Sequence, residues 1–159
     1  MEKIDIICIG SLKEKYLRDM CAEYSKRLSR FCKLTVKELA EARLPDNPSE
    51  GEIERALEAE AKAIMAAADP ASNKIALCIE GGQMPSEKLA QKMQSLAMTN
   101  GSFTFIIGSS HGLSESVKSA CSMRLSMSQM TFPHQLARAM LLEQIYRSYM
   151  IRTNRSYHK

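Results

Sequence analysis

Apolar and polar positions along this chain switch repeatedly between two periods. Lys3–Ile9 is a short apolar run closed by Gly10, which predicts a first strand. Leu12, Tyr16, Leu17, Met20, Tyr24 and Leu28 then recur at helical spacing and predict an amphipathic helix over Ser11–Arg30. Lys33–Leu39 alternates and predicts a second strand. Pro45 and Pro48 mark a connection, after which Ser49 and Glu52 stand at capping-box spacing. Alanine-rich sequence carries that helix to about Ala68, where Asp69-Pro70 stops it. Ile75–Ile79 is continuously apolar, the pattern of a strand buried on both faces, and Glu80-Gly81-Gly82 follows as a turn. A helix runs from Ser86 to about Met98. Phe103–Ile107 is another buried strand, ended by Gly108. A short helix from Ser114 to about Cys121 and a short strand over Arg124–Met127 come next. The last helix, Pro133–Met150, has proline in its first turn, where the missing N–H is not needed.

Strict alternation of strand and helix predicts an α/β fold: a mostly parallel sheet with helices on both faces. The length suits one domain over residues 1–159, with no repeat, low-complexity stretch or long linker. Ligands in open α/β sheets bind beyond the carboxyl ends of the strands. Three such ends stand out: Glu80-Gly81-Gly82, Gly108-Ser109-Ser110-His111-Gly112, and Met127–Phe132.

No run reaches the roughly 18 apolar residues that a membrane helix needs, and Met1–Asp5 lacks the basic start and apolar stretch of a signal peptide. A cytoplasmic protein is expected. The cysteines (Cys8, Cys21, Cys32, Cys78, Cys121) are odd in number and form no CxxC pair, which fits buried thiols better than a disulfide framework or a zinc site.

Charge is lopsided. Beyond Pro133, Arg138, Arg147, Arg152, Arg155 and Lys159 face Glu143 alone, which accounts for the whole net charge of +4. Residues 41–60 lean the other way, with Glu41, Asp46, Glu50, Glu52, Glu54, Glu58 and Glu60 against Arg43 and Arg55. Such asymmetry suits a basic face for a polyanion, or merely an unevenly solvated surface.

Several chemistries are disfavoured. Gly108-x-x-x-Gly112 lacks the Gly-Lys-Ser/Thr ending of a phosphate loop and the G-x-G-x-x-G of a dinucleotide site. It remains either a simple strand-to-helix turn or a place where backbone approaches a ligand. No G-x-S-x-G elbow is present. His111, His134 and His158 are not at metal-ligand spacing, so no metal is expected. The last helix carries more. At about 100° per residue, His134 and Arg138 share a face with Leu141, Leu142, Ile145 and Tyr149. Glu143 and Arg147 lie opposite, at ion-pair spacing, with Leu136 and Met140. Both faces are thus used, as in a helix buried within the fold or at a subunit interface. A charge among leucines needs a partner.

Phe103–Gly108 with Gly112-Leu113, the run Leu125–His134, Glu143–Arg147 and the terminal Tyr157-His158-Lys159 together resemble the ribosomal RNA large subunit methyltransferase H family of the SPOUT superfamily. The likeness covers the whole chain. It implies a C-terminal trefoil knot, which no periodicity reveals, and a homodimer. It implies S-adenosyl-L-methionine as cofactor and N3 of a pseudouridine in a 23S rRNA stem-loop of the assembled ribosome as substrate. The family's cofactor contacts correspond to Leu77, Gly108, Met127, Ser128, Gln129, Met130, Thr131 and Phe132. Ser109 stands where the family usually has a second glycine.

On that resemblance, alignment of N3 with the methyl group is the larger task, since positioning alone can contribute roughly 7–11 kcal/mol. His134 is the first candidate for the base that removes the N3 proton, and His158 the second. Arg138 and Arg147 would stabilise the ring anion or hold phosphate, Tyr157 would stack on the target base, and the basic tail would grip RNA backbone. Rival expectations are a transfer RNA substrate, or a ribosome-binding factor without catalysis.

Overall fold

The computed structural model describes residues 1–158. It contains β1 (Glu2–Ile9), α1 (Lys15–Leu28), β2 (Cys32–Leu39), α2 (Glu50–Ala67), β3 (Asn73–Gly82), α3 (Ser86–Ala97), β4 (Ser102–Ile107), α4 (Glu115–Ala120), β5 (Met123–Leu125) and α5 (His134–Arg152). The five strands form one sheet in the order β2-β1-β4-β3-β5, with every pairing parallel.

Strand alternation sends two sets of side chains to two cores. Ile4, Ile6, Cys8, Ile75, Phe103 and Phe105 pack with α1, α3 and α5. Ile7, Ile9, Ala76 and Ile106 pack with α2 and α4. Crossovers that step one way across the sheet (β1 to β2, β3 to β4) use the first face. Those that step the other way (β2 to β3, β4 to β5) use the second. That division keeps every crossover the same hand, as right-twisted strands require. The α2 capping box forms as its spacing predicts, with Ser49 and Glu52 each accepting the other's backbone N–H at 3.2 Å. Cys8, Cys21 and Cys32 are buried, and burial pushes the Cys8 and Cys32 thiols up to about 11.

Several boundaries differ from expectation, three of them because a backbone group is claimed elsewhere. Helix α1 begins at Lys15 rather than Ser11. Gly10 turns the chain at φ +94°, the Leu12 N–H goes to Glu38 at 3.3 Å, and the Lys13 N–H goes to Gln135 at 3.1 Å. Strand β3 continues past Ile79, because after a bulge Gly82 pairs again with Leu125. Strand β5 is Met123–Leu125 rather than Arg124–Met127. Ser126 donates its N–H to the Gly82 carbonyl at 3.0 Å, and the chain then turns.

Helix α5 is fastened at both ends to the strands beneath it. Near its start, Arg138 is 4% exposed and donates to Glu38 at 2.8 Å and to the Gly10 carbonyl at 3.2 Å. Near its end, Arg152 holds the Glu2 carboxylate at 3.0 and 2.5 Å, and the Tyr149 hydroxyl adds a bond at 2.7 Å. Burial alone would raise the Glu2 carboxyl, but hydrogen bonds from Arg152 and Tyr149 and the Arg152 charge outweigh it and hold it below 4.5. A carboxyl depressed by folding stabilises above its unfolded pKa, and that contribution disappears as pH falls through the folded value. The thermal midpoint should therefore drop on acidification below about pH 4.5. Glu2→Gln should lower the midpoint at neutral pH and flatten the acid-side slope; parallel pH profiles for the two proteins would refute this account of the clasp.

Candidate active site

A cavity of about 670 Å³ lies beyond the carboxyl ends of β3, β4 and β5. This falls within the size range of small-molecule sites. Its walls are the end of β3, the loop after β4 and the loop between β5 and α5.

Local sequence explains how the three segments come so close. An added Cβ on Gly108 would lie 2.3 Å from the Gly112 carbonyl oxygen, so only glycine fits there. The loop is folded tightly on itself, with the Gly112 N–H on the Ser109 carbonyl at 2.9 Å and Gly112 at φ +82°. Gly81 plays a similar part on β3, where a Cβ would stand 2.8 Å from the Arg124 carbonyl carbon. The third segment is braced by its serines: Ser126 Oγ donates to the Ser128 carbonyl, and the Met130 N–H donates to Ser128 Oγ, both at 3.0 Å.

Of the residues expected around a cofactor, Leu77, Gly108, Met127, Ser128, Met130, Thr131 and Phe132 line this cavity, and Gln129 does not. Glu80 and Ser109, Ser110, His111 and Gly112 also line it and belong to strand ends marked in the sequence, whereas Cys78, Ile79 and Lys118 carry no individual signal there. Cys78 and Ile79 belong to the irregular end of β3, and Glu80 and Lys118 form an ion pair at the edge. Lys118 lies on the short helix α4, and its sequence context does not set it apart from any surface lysine. Ser109 is buried. Behind the loop, burial keeps Glu60 above its ordinary range, while the Ala42 N–H, the Ser109 hydroxyl and the His111 charge act the other way.

The five candidate catalytic residues do not converge on one point. His134, first residue of α5, lines the cavity, and its Nε2 stands 3.4 Å from where a Gly10 Cβ would be. Arg138, one turn on, is engaged with Glu38 and Gly10 and lines no part of the cavity. Arg147, Tyr157 and His158 form a separate cluster on the outer side of α5. Glu143 accepts from Arg147 at 2.6 and 3.0 Å and from the Tyr157 hydroxyl at 3.2 Å. The Arg147 guanidinium lies 4.8 Å over the Tyr157 ring and 3.1 Å from His158 Nδ1, whose other nitrogen meets Glu87 at 2.6 Å. Burial, with Tyr24 and Glu143 as hydrogen-bond partners, pushes the Tyr157 phenol up to about 12. Lys159, third residue of the terminal motif, lies outside the described residues. Among the described residues no three His, Cys, Asp or Glu side chains are grouped to hold a metal, and no helix is long and apolar enough to cross a membrane.

A parallel sheet with a backbone-lined cavity past three strand ends, and a histidine on its wall, suits group transfer from a bound donor. Comparison with known proteins agrees. The family model described as "Predicted SPOUT methyltransferase" matches residues 2–158. A protein named ribosomal RNA large subunit methyltransferase H from Leuconostoc mesenteroides is 45% identical over 157 residues, covering 98% of this chain and 99% of its own. A protein of the same name from Streptococcus sanguinis is 46% identical over 158 residues, covering 99% of both. Another, from Clostridium perfringens, is 45% identical over 157 residues, covering 98% of this chain and 99% of its own. With the match running nearly end to end and the strand ends converging as that chemistry needs, this chain belongs to the SPOUT methyltransferase family.

Proposed function

We propose that this protein is a ribosomal RNA methyltransferase. It uses S-adenosyl-L-methionine to methylate N3 of a pseudouridine in a 23S rRNA stem-loop, on the assembled ribosome in the cytoplasm. The carrying observation is the cavity itself. Segments from three strand ends, two brought close by Gly81 and Gly108 and the third braced by Ser126 and Ser128, border a single space of about 670 Å³ together with His134. Relatives of 45–46% identity named for this activity support the substrate class.

The residues present fit the cofactor. Exposed backbone of the Gly108 loop and the Ser126–Phe132 segment offers hydrogen-bonding groups to a nucleoside. Leu77, Met127, Met130 and Phe132 offer apolar cover. When bound, the donor supplies an electrophilic methyl group on a sulfonium that departs as a neutral thioether. The chain's share is therefore to align the acceptor nitrogen and to take one proton. His134, on the cavity wall at the start of α5, is the residue assigned to accept the N3 proton, with His111 also on the wall. Arg138 acts at one remove, as a positioning residue that fastens the first turns of α5 to Glu38 and Gly10.

The protein works in this reading as a single knotted domain, the trefoil being a family property, and as a homodimer. Tyr16 and Met20, 70% and 39% exposed on α1 beside α5, supply an apolar surface for a second copy. Arg147, Tyr157 and His158, which line no part of their own protomer's cavity, then serve the cavity of the other copy.

Purified ribosomes and bulk transfer RNA offered together with methyl-labelled cofactor test the assignment. Label is expected in one 23S rRNA fragment, with the matching mass absent from ribosomes of cells lacking the gene. Label in transfer RNA would overturn the substrate. Titration with S-adenosyl-L-methionine giving no heat would overturn catalysis altogether.

A further inference from the structure

A second hollow, of about 460 Å³, lies at the far end of α1 and α5 from the methyl-transfer cavity. Lys26, Arg27 and Arg30 enter it from the end of α1 and the turn beyond, Arg155 from the C-terminal segment, and Phe31 and Tyr146 form part of its floor. Glu23 pairs with Arg27 at 2.9 Å, while among the described residues Lys26, Arg30 and Arg155 have no carboxylate within ion-pair distance. The hollow therefore carries an uncompensated positive charge.

Two of its guanidiniums are held in place. Arg27 lies 5.3 Å over the Tyr24 ring and 5.7 Å over Tyr146, and Arg155 lies 5.4 Å over Phe31. An arginine resting on an aromatic face loses little further freedom on binding, and its planar fork matches phosphate in a bidentate manner. Cations in the last turn of a helix also offset its dipole. That accounts for Lys26 and Arg27, but not for Arg30, which follows the helix, or Arg155, which comes from another element.

We propose that this hollow is a phosphate clamp for ribosomal RNA, distinct from the cavity that takes the reacting base. It rests on the ribosomal RNA reading above. Tyr146 is twelve residues along α5 from His134, roughly 18 Å at the helical rise. A nucleotide in the cavity and phosphates in the clamp thus belong to different parts of one RNA. The clamp sets where the RNA lies and reads no base, since phosphate contacts carry no sequence information.

The test is the triple variant Lys26→Gln, Arg30→Gln, Arg155→Gln, compared with wild type on whole ribosomes at several KCl concentrations. Cofactor affinity by calorimetry, and turnover at saturating ribosomes, should match wild type. The KM for ribosomes should rise on the order of tenfold, and the log–log dependence of KM on salt should become shallower by about 2, as expected for three lost phosphate contacts. The charge-keeping variant Lys26→Arg, Arg30→Lys should behave as wild type. Unchanged KM and salt slope in the triple variant would overturn the clamp. So would a change in oligomeric mass by sedimentation, which would make the hollow a contact between copies. If wild-type protein methylated no ribosomal RNA, the enzymatic reading alone would fail. The clamp would then be judged by titration with a 23S rRNA fragment: a shallower salt slope for the triple variant upholds it, and equal slopes overturn it.

Discussion

Gly108→Ala should abolish measurable binding of S-adenosyl-L-methionine while leaving the protein folded. The new methyl group would stand 2.3 Å from the Gly112 carbonyl oxygen, 2.6 Å from its carbon and 3.0 Å from Leu113 Cδ2. Only the leucine contact can be relieved by a side-chain rotation. The other two are with backbone, and the Gly112 N–H is tied to the Ser109 carbonyl at 2.9 Å, so the loop must open as a unit. Relief requires a shift of roughly 1 Å, and misplacement on that scale can cost about 100-fold in a positioned reaction. Overpacking of this kind typically costs about 1–3 kcal/mol in stability, so unfolding should move to lower temperature without vanishing. Gly112→Ala is the informative control. Nothing lies within 4 Å of its added carbon, but φ is +82°. It should lower stability through backbone strain of about 1–2 kcal/mol and weaken cofactor binding much less. Calorimetry on both variants decides the matter: wild-type affinity in Gly108→Ala would mean that the cofactor is held elsewhere.

His134→Ala should slow methyl transfer by roughly 10²- to 10⁴-fold, the usual contribution of a positioned general base. Cofactor affinity and ribosome affinity should stay within a few fold of wild type. The side chain is partly exposed, starts α5, lies against Gly10, and among the described residues has no hydrogen-bond partner to orphan. Its removal should therefore leave the α5 fastening at Arg138 and Glu38 intact. Single-turnover rates on ribosomes, with saturating cofactor, separate chemistry from binding. A full rate in the variant would pass the proton to another acceptor, and His158 supplied by the second copy would be the next residue to replace.

The sheet and its helices were readable because each element carries its own period. Ile75–Ile79 and Phe103–Ile107 are continuously apolar, and they form β3 and β4, which are flanked by strands on both sides. The two-sided use of α5 was also readable, since Arg138 falls among the leucines and Glu143 and Arg147 fall opposite. What stayed hidden is what depends on distant partners. Nothing near Ser11 announces that the Leu12 and Lys13 amides are taken by Glu38 and Gln135, so periodicity alone starts α1 too early. Nothing near Arg138 reveals Glu38, one hundred positions away, and a group with chemical potential becomes a brace. Met127–Phe132 stands out as a strand end, but its cofactor contacts come only from the family resemblance, because a polar loop has no period to read. Gln129 lies within the loop and does not line the cavity.

The grip of Arg152 and Tyr149 on Glu2 joins the second residue of the chain to its last helix, across 150 and 147 positions. Contacts of such separation form late and slowly. During translation, β1 is made long before α5, so the part of its underside that α5 covers must wait for that helix. Until α5 is made, the apolar residues of β1 and β4 that it shields remain open to solvent and to other nascent chains. Shortening the protein by even the final turn of α5 should therefore be felt first as poor yield in the cell, before any assay of its chemistry.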